Sequence, residues 1–459
     1  MEEFFENELA RQFEEMIENN EERYFDTGDL EEIIIHYLEL GDISFAEMAV
    51  NYGLQLHPHS IDIKTKKLEV LLELQRYTDA KKLIKELQSI GLETTDLLVC
   101  CAKYYSVHGN SKRAIEYCEK ALSFNEEENF LHNFIADEYV NLDDPFNALK
   151  HYQLALKNDP QDDYALENTI LCFNKLNKNE EALEFITHYI EEFPFSETAW
   201  FELGQFHFNR KNYEEAIRAF DYLLAINSES VGVYANKAAC YEALKDWDNA
   251  ILVYFEMLEM EYTKAYTYYR IGLCHKENQQ PILAMKAFQQ SLREDPQFYL
   301  SMMEQSYLYE EMGRMHEALH FAKEATSLNE DNLDYQKRLA FLYIDAQQFE
   351  ESLECLKKLV EGEPNRFYNW YAYSEVLMLV EHYQEAVTAL NDALKIHNRA
   401  ELFYQLSNAY FNLGKRLEAR ENLAIALTME PQLAQDMLQK YPFIKDEVKG
   451  SKTKKRKEN

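Results

Sequence analysis

Apolar residues recur along the chain with the spacing of an α-helix, in short stretches separated by polar turns. Ala216, Ile217, Phe220, Leu223 and Leu224 are one example, because all five would lie on one face of a helix. Residues that break helices are scarce, since the 459 residues include only 12 Gly and 9 Pro. The pattern predicts an all-α chain of helices joined by short turns.

A small residue recurs along the chain at a fixed interval. The interval is 34 residues at every step except the last, which is 33. Twelve small residues in register do not arise by chance, and a period of this length indicates tandem structural repeats. The small residues are Ala46, Ala80, Ala114, Ala148, Ala182, Ala216, Ala250, Ala284, Ala318, Ser352, Ala386 and Ala419.

Tyrosine, proline and glycine keep the same register in several repeats. Tyrosine stands nine residues before the small residue, glycine five residues before it and proline twelve residues after it. Pro145 and Pro281 stand three residues before it, where the first turn of a helix tolerates the missing N–H. Each repeat is therefore predicted as helix A, a turn near the glycine, helix B and a turn marked by proline. The small residue marks the place where helix B crosses helix A too closely for a larger side chain.

The unit of two helices resembles the tetratricopeptide repeat. Residues 196–220 carry Trp200, Leu203, Gly204, Ala216 and Phe220 at the spacing of that family, with a histidine in place of its tyrosine. The resemblance implies a right-handed superhelical solenoid that acts as a protein–protein interaction scaffold and has no catalytic activity. A second match, in residues 129–160, comprises Ala136, Tyr139, Ala148, Tyr152, Ala155 and Pro160.

The chain is expected to divide into four segments. Residues 27–433 hold the twelve repeats, and residues 1–26 form an acidic helix that caps the first repeat. A detachable autoinhibitory or dimerising helix would show the same pattern in residues 1–26. Residues 434–448 are predicted to form a closing helix, and residues 449–459 a basic disordered tail with six Lys or Arg and one Glu. That tail could instead bind RNA, act as a nuclear signal or fold back on the acidic repeats.

The charge of the chain restricts its partners. The formal net charge is −35 at pH 7, which repels nucleic-acid phosphates and anionic membranes. The start of the chain lacks the basic and apolar regions of a signal peptide, and the seven cysteines contain no C-x-x-C pair. We therefore expect a cytoplasmic protein whose partner is a protein or peptide, with a basic partner favoured. We expect no membrane contact, and nucleic-acid contact only through residues 449–459; self-association stays open.

One short motif suggests enzyme chemistry. His316, Glu317 and His320 spell H-E-x-x-H, in which two histidines on one helix face hold zinc and the glutamate acts as a general base. The equivalent positions in sister repeats are mostly polar, and no obvious third ligand follows. We therefore expect a solvated coincidence, with no metal, no cofactor and no catalytic residue, and we keep a zinc hydrolase as the remote alternative.

Helix A lines the concave surface in the family that the repeats resemble. Residues fifteen and eleven positions before the small residue, and others on the same helices, are rich in aromatic rings and amides. Exposed rings in a groove favour recognition of an extended peptide, whereas the alternative is that they pack between neighbouring helices A. The lysine and asparagine clamp that some family members use for C-terminal carboxylates is not found. The predicted binding residues are Phe130, Asn133, Tyr164, Asn168, Phe201, Phe208, Asn236, Tyr266, Tyr269, Tyr307, Phe341, Tyr368, Tyr371 and Tyr404.

Overall fold

The computed structural model describes residues 8–91, 93–124, 128–260 and 263–433. Within these ranges it has 25 α-helices and no strand, which confirms the all-α prediction. None of these helices combines the length and the apolar character needed to cross a membrane. The predicted closing helix at 434–448 and the predicted tail at 449–459 lie outside the described residues, as do residues 1–7. The right-handed superhelix stays a prediction.

The chain divides into two compact units between Ser228 and Glu229. The first unit has a leading helix and six helix pairs in its described residues, with a short 3-10 turn at Leu122–Phe124. Its helices are α1 Glu8–Asn19, α2 Thr27–Glu39, α3 Ile43–Leu56, α4 Ile61–Glu73, α5 Tyr77–Ile90, α6 Thr95–Val107, α7 Ser111–Ala121, α8 Glu128–Asn141, α9 Pro145–Asn158, α10 Asp163–Lys175, α11 Asn179–Glu192, α12 Glu197–Asn209 and α13 Tyr213–Ile226.

The second unit has six further helix pairs in its described residues and a 3-10 turn at Pro431–Leu433. Its helices are α14 Val231–Ala243, α15 Trp247–Glu259, α16 Lys264–Glu277, α17 Pro281–Glu294, α18 Tyr299–Glu311, α19 Met315–Leu328, α20 Leu333–Asp345, α21 Phe349–Gly362, α22 Phe367–Leu379, α23 Tyr383–Ile396, α24 Ala400–Asn412 and α25 Arg416–Met429.

The helix pairs follow the register of the small residues. Helix B begins three residues before the small residue in all twelve pairs, from α3 to α25. Each small residue is at most 3% exposed. In α21 the small residue is Ser352, whose hydroxyl donates a 3.0 Å hydrogen bond to the carbonyl of Ala340 on α20. Since a side chain of one helix reaches the backbone of the other, the predicted close crossing is confirmed.

The crossing also constrains helix A, at the position twelve residues before the small residue. Gly204 occupies this position in α12, and a Cβ there would lie 2.3 Å from Cε1 of Phe220 on α13. Gly272 of α16 and Phe288 of α17 repeat the arrangement, since a Cβ at Gly272 would lie 2.4 Å from Cε1 of Phe288. A small residue on helix A thus makes room for a large side chain on helix B, and the two sizes are complementary.

The turn between helix A and helix B has one backbone geometry throughout. In all twelve pairs the residue five before the small residue has a positive φ, between 56° and 75°. Only four of these residues are glycines. Lys211 is an example of the eight that are not glycine. Its N–H donates to the carbonyl of Phe208 at 2.9 Å, and the N–H of Asn212 donates to the carbonyl of His207 at 3.0 Å. These two bonds satisfy carbonyls at the end of helix A and hold the turn residue in the left-handed region.

Helix α1 covers the first helix pair. Phe13 is 1% exposed, and its ring centroid lies 6.0–6.4 Å from those of Phe25, Tyr37 and Tyr52. The hydroxyl of Tyr37 also donates to Glu14 at 3.1 Å. These contacts bury Ala10, Phe13 and Met16 of α1, and the role of residues 1–26 as a cap stays a prediction.

The turn geometry predicts opposite effects of two substitutions. Lys211→Gly should raise the free energy of unfolding by up to about 1 kcal/mol, because glycine adopts a positive φ without the steric cost of a Cβ. Gly109→Ala should lower it by about 1 kcal/mol for the same reason. Urea unfolding followed by circular dichroism measures both changes. If both substitutions changed the free energy of unfolding in the same direction, the assigned turn geometry would be contradicted.

The crossing predicts that Gly204→Ala destabilises the first unit by about 1–3 kcal/mol, since the new methyl group overlaps the ring of Phe220. Phe220→Leu in the same chain should recover part of the loss, because it removes the atoms in conflict. A double-mutant cycle in urea measures this coupling, which should exceed about 0.5 kcal/mol. Strictly additive effects would show that the two residues do not meet.

Candidate protein-binding surface

Six of the predicted binding residues are exposed aromatic residues on helices A. Their exposed fractions run from 36% to 75%, which is high for rings of this size. Four lie eighteen residues before a small residue and two lie eleven residues before one, so the same positions are used repeatedly. We call this set the helix-A surface, and it comprises Phe130 and Tyr164 in the first unit and Tyr266, Tyr307, Phe341 and Tyr368 in the second.

Asp137 orients one of these rings in the first unit. Its Oδ1 accepts hydrogen bonds from the hydroxyls of Tyr152 at 2.6 Å and Tyr164 at 2.7 Å. Burial and the bond to Asp137 raise the pKa of Tyr164 to about 12, so the phenol donates a proton to this bond at neutral pH. Asp137 was not among the predicted binding residues, although its place eleven residues before a small residue could have indicated it.

The predicted amides of the first unit contact the same region. Nδ2 of Asn133 donates to Oδ2 of Asp162 at 2.5 Å. Nδ2 of Asn168 donates to the carbonyl of Tyr164, one turn earlier in α10, at 2.9 Å. Both residues are half-buried. These bonds place the two amides near Asp162 and the backbone of Tyr164, but Oδ1 of Asn133 is buried and does not reach the surface.

A carboxyl group with an unusual pKa lies on α12. Burial, together with the negative charge of Glu167 on α10, raises the pKa of Glu202 to about 7. No described Lys or Arg forms an ion pair with Glu202 or Glu167. At neutral pH the carboxyl of Glu202 is therefore divided between its protonated and charged forms, and a nearby cation would favour the charged form.

Charged residues of the second unit pair with one another across neighbouring repeats, as Lys66 with Asp96 and Lys103 with Glu69 do in the first unit. In each pair of the second unit, a residue eight before one small residue meets a residue fourteen before the next. These pairs are largely shielded from water and link helix A of one repeat to helix A of the next. The pairs are Glu242 with Arg270, Lys276 with Glu304 at 2.7 Å and Glu310 with Arg338 at 2.8 Å.

Two of these cations hold the ring of Tyr307. The guanidinium carbon of Arg338 lies 3.6 Å from the ring centroid, and Nζ of Lys276 lies 5.3 Å from it. Both contacts have the geometry of cation–π interactions. Phe341, on the next helix A, is 46% exposed. The second unit thus presents rings whose positions are fixed by paired charges.

Several predicted residues are only half-exposed, because their rings pack within their own repeat. The ring centroid of Tyr269 lies 5.6 Å from that of Phe298, and that of Tyr371 lies 5.8 Å from that of Phe367. Phe201, Phe208 and Asn236 are also half-buried. For these residues the structure supports the packing alternative more than a place on the binding surface.

The prediction that Tyr404 faces a groove is wrong. Tyr404 is 0% exposed and lies in an apolar cluster with Leu423 and Ala426 of α25. The position fifteen before the small residue lies at the boundary between surface and core, since Met303 is buried there whereas Lys337 is exposed. The size and surroundings of the particular residue therefore decide its exposure.

The H-E-x-x-H stretch lies on the outer part of α19. His316 and His320 are exposed, and Glu317 forms an ion pair with Arg314 that lowers the pKa of the glutamate. Nε2 of His320 lies 3.6 Å from Oε1 of Glu324. Within the described ranges, no group of three His, Cys, Asp or Glu side chains could hold a metal ion.

Family models of the tetratricopeptide repeat match five segments, which together make up about half of the chain. The chain belongs to the tetratricopeptide repeat family, whose repeats bind other proteins. The matched segments are residues 135–197, 197–230, 265–298, 309–374 and 400–433.

One relative is the Hsp70-Hsp90 organizing protein of Triticum aestivum. It is 26% identical to this chain over 244 residues, which make up 50% of the chain but only 39% of the relative. The match therefore spans well under half of the wheat protein.

Solved structures that resemble the chain include other proteins with helical repeats. MamA matches with a TM-score of 0.32 and 18% identity, over 37% of this chain and 92% of its own. The APC/C hetero-tetramer Cut9-Hcn1 matches with a TM-score of 0.33 and 15% identity, over 87% of this chain and 92% of its own. The C-terminal part of a TPR repeat-containing protein of Cytophaga hutchinsonii matches with a TM-score of 0.42 and 16% identity. The match covers 52% of this chain and 99% of that protein chain.

The raised pKa of Glu202 predicts a stability that depends on pH. The folded chain holds this proton up to about pH 7, whereas the unfolded chain loses it near the ordinary value of 4.5. The stability that the neutral carboxyl provides is therefore present at pH 4 and is lost as the pH rises through 7. Glu202→Gln should therefore raise the free energy of unfolding more at pH 8 than at pH 4. The difference between the two changes should be about 1–2 kcal/mol, once the partial exposure of this carboxyl is allowed for.

Urea unfolding at pH 4, 6 and 8 measures this difference. Glu191→Gln on α11 is the control, since it removes the same charge from an exposed position. An effect of Glu202→Gln that is equal at all three pH values would show that this carboxyl ionises normally.

Proposed function

We propose that the chain is a non-catalytic scaffold that binds a protein or peptide partner on the helix-A surface. The observation that carries this proposal is the recurrence of exposed aromatic rings at the same helix-A positions in both units. Packing between repeats does not account for rings that are 36% to 75% exposed. Tyrosine and phenylalanine are enriched in interface cores, because they contribute a large contact area at a low entropic cost.

The carboxylates of Glu167 and Glu202 offer a partner a charge that the paired residues do not. In the second unit the helix-A charges largely neutralise one another through the inter-repeat ion pairs. In the first unit Glu167 and Glu202 have no partner among the described cations, and Glu202 would ionise more readily beside a positive charge. A basic segment therefore suits the first unit, in agreement with the net charge of −35.

The comparisons support the class of function and not a particular partner. The name of the wheat relative describes a protein that organises two others, which is the work of a scaffold. Because only 39% of that relative is matched, we do not propose chaperones as partners. A cytoplasmic location stays a prediction, and RNA binding by the tail at 449–459 stays an alternative.

The proposal predicts that truncating exposed rings weakens binding without unfolding the chain. The test variant is Tyr266→Ala, Tyr307→Ala and Tyr368→Ala together, in the second unit. Its control truncates three exposed apolar residues of helices B in the same unit, Leu252, Ile282 and Leu417, to alanine. A partner is captured from cell extract, identified by mass spectrometry, purified and measured by calorimetry. Each important ring should contribute about 1–3 kcal/mol, so the test variant should bind at least about tenfold more weakly.

The control should bind like the unmodified chain, and both variants should melt within a few degrees of it. A partner that binds the test variant with unchanged affinity would place its site elsewhere. Loss of binding in the control alone would assign the interaction to helices B.

A further inference from the structure

The fifth repeat differs from its two neighbouring repeats at the crossing of its two helices. Ile170 of α10 stands where α8 and α12 have Ala136 and Gly204. The equivalent of Phe220 on α11 is Ile186, and both isoleucines are at most 1% exposed. Two branched side chains at a close crossing hold the backbones apart.

A second large residue replaces a small one on α11. Tyr189 occupies the position that Ala155 has on α9. Its hydroxyl donates to the carbonyl of Pro160 at 2.6 Å, and its ring centroid lies 5.0 Å from that of Phe193. The ring therefore fills space at the C-terminal end of α11 where the other repeats have a non-aromatic side chain.

Two clefts lie on either side of these rings. One, of about 270 Å³, lies between α9 and α11 and is lined by Leu156, Pro160 and Phe185. The other, of about 730 Å³, lies beside the turn that leads into α12 and is lined by Asp163, Pro194 and Phe195. Tyr189, Glu192 and Phe193 line both. We call the two clefts together the fifth-repeat groove.

Phe195 gives this groove an exposed apolar edge. Its side chain is 80% exposed, the largest exposed fraction of any large apolar side chain in the described residues. The equivalent residues in the repeats on either side are polar, Gln161 and Glu229. A phenylalanine that reaches water beside a cleft, at a position that is otherwise polar, is typical of an interaction site.

The rim of the groove is acidic. Asp163 and Glu192 line it, and Lys157 is the one Lys or Arg among its described lining residues. Glu192 lies 3.9 Å from the imidazole of His188, which is a weak ion pair only when the histidine is protonated. An acidic rim around apolar rings attracts a cation that carries an apolar neighbour.

We propose that the fifth-repeat groove binds a segment of a partner protein in which an aromatic or large aliphatic side chain is next to lysine or arginine. The apolar side chain packs between Phe193 and Phe195, and the cation meets the carboxylates of Asp163 and Glu192. The groove is formed by α11, by the end of α9, by the turns before α10 and α12 and by the first residues of those two helices, and its lining includes none of the six rings of the helix-A surface. It is therefore a second site, separate from the helix-A surface and independent of the function proposed for it.

A library of random dodecapeptides displayed on phage provides the probe. It is selected in parallel on the full chain, on Phe195→Ala and on Tyr368→Ala, which truncates an equally exposed ring of the helix-A surface. We expect a class of peptides that is enriched on the full chain and on Tyr368→Ala but lost on Phe195→Ala. That class should combine an aromatic or large aliphatic residue with a neighbouring Lys or Arg.

A synthetic peptide of this class is then measured by fluorescence anisotropy. Phe195→Ala should raise its Kd at least about tenfold. The double change Asp163→Asn and Glu192→Gln should raise the Kd and remove most of its dependence on salt. Tyr368→Ala should leave the Kd unchanged. Because Phe195 is exposed, its variant should fold normally, which circular dichroism checks.

Three results would overturn the proposal. The first is that no peptide class distinguishes Phe195→Ala from the full chain. The second is that the distinguished peptides are acidic or lack an apolar residue. The third is that Phe195→Ala turns a dimer into a monomer in sedimentation velocity, which would make a second copy of the chain the occupant of the groove.

Discussion

The close crossing of helix A and helix B is the contact on which the rest of the structure depends. At this crossing a side chain of one helix reaches the backbone of the other, as when the hydroxyl of Ser407 on α24 donates to the carbonyl of Ala419 on α25 at 2.7 Å. Only glycine, alanine or serine leaves enough room for so short an approach. Because the crossing recurs every 34 residues, each pair presents nearly the same faces to the next pair. A change of residue size at this point therefore alters more than one helix.

The crossing also determines which side chains are left for binding. Positions that meet at the crossing are buried, so the exposed rings lie on the opposite face of helix A or at the ends of the helices. In the second unit, ion pairs between neighbouring helices A hold these rings in place. In the first unit the carboxylates Glu167 and Glu202 have no such pairs within the described residues. The described part of the scaffold thus carries both paired charges and carboxylates without a partner cation.

Much of the fold could be predicted from the sequence, because the crossing leaves a strict pattern of small residues. The start of every helix B followed from that pattern alone. The left-handed turn was indicated where it holds glycine, as at Gly109, but the same turn at Lys211 was not, since a lysine carries no such signal. The boundary between Ser228 and Glu229 was not indicated either, because the spacing of the small residues does not change there.

The candidate sites were less predictable, because exposure depends on neighbours that are distant in sequence. Tyr404 and Tyr371 share one repeat position, yet Tyr404 is buried and Tyr371 is half-buried. Phe195 was missed, since it lies in a turn outside the positions that the family uses for binding. A comparison of each residue with its equivalents in the other repeats would have found it, along with Ile170 and Tyr189.

The most direct test of this account is a crystal structure of the chain with Ile170→Ala and Tyr189→Ala, compared with one of the unmodified chain. These changes give the fifth repeat the alanines that the fourth repeat has at these two positions, Ala136 and Ala155. If residue size at these positions sets the separation of the helices, α11 should move toward α10 and α12, and the fifth-repeat groove should narrow. An α11 that keeps its distance, with cavities left at the two truncated side chains, would contradict the central claim.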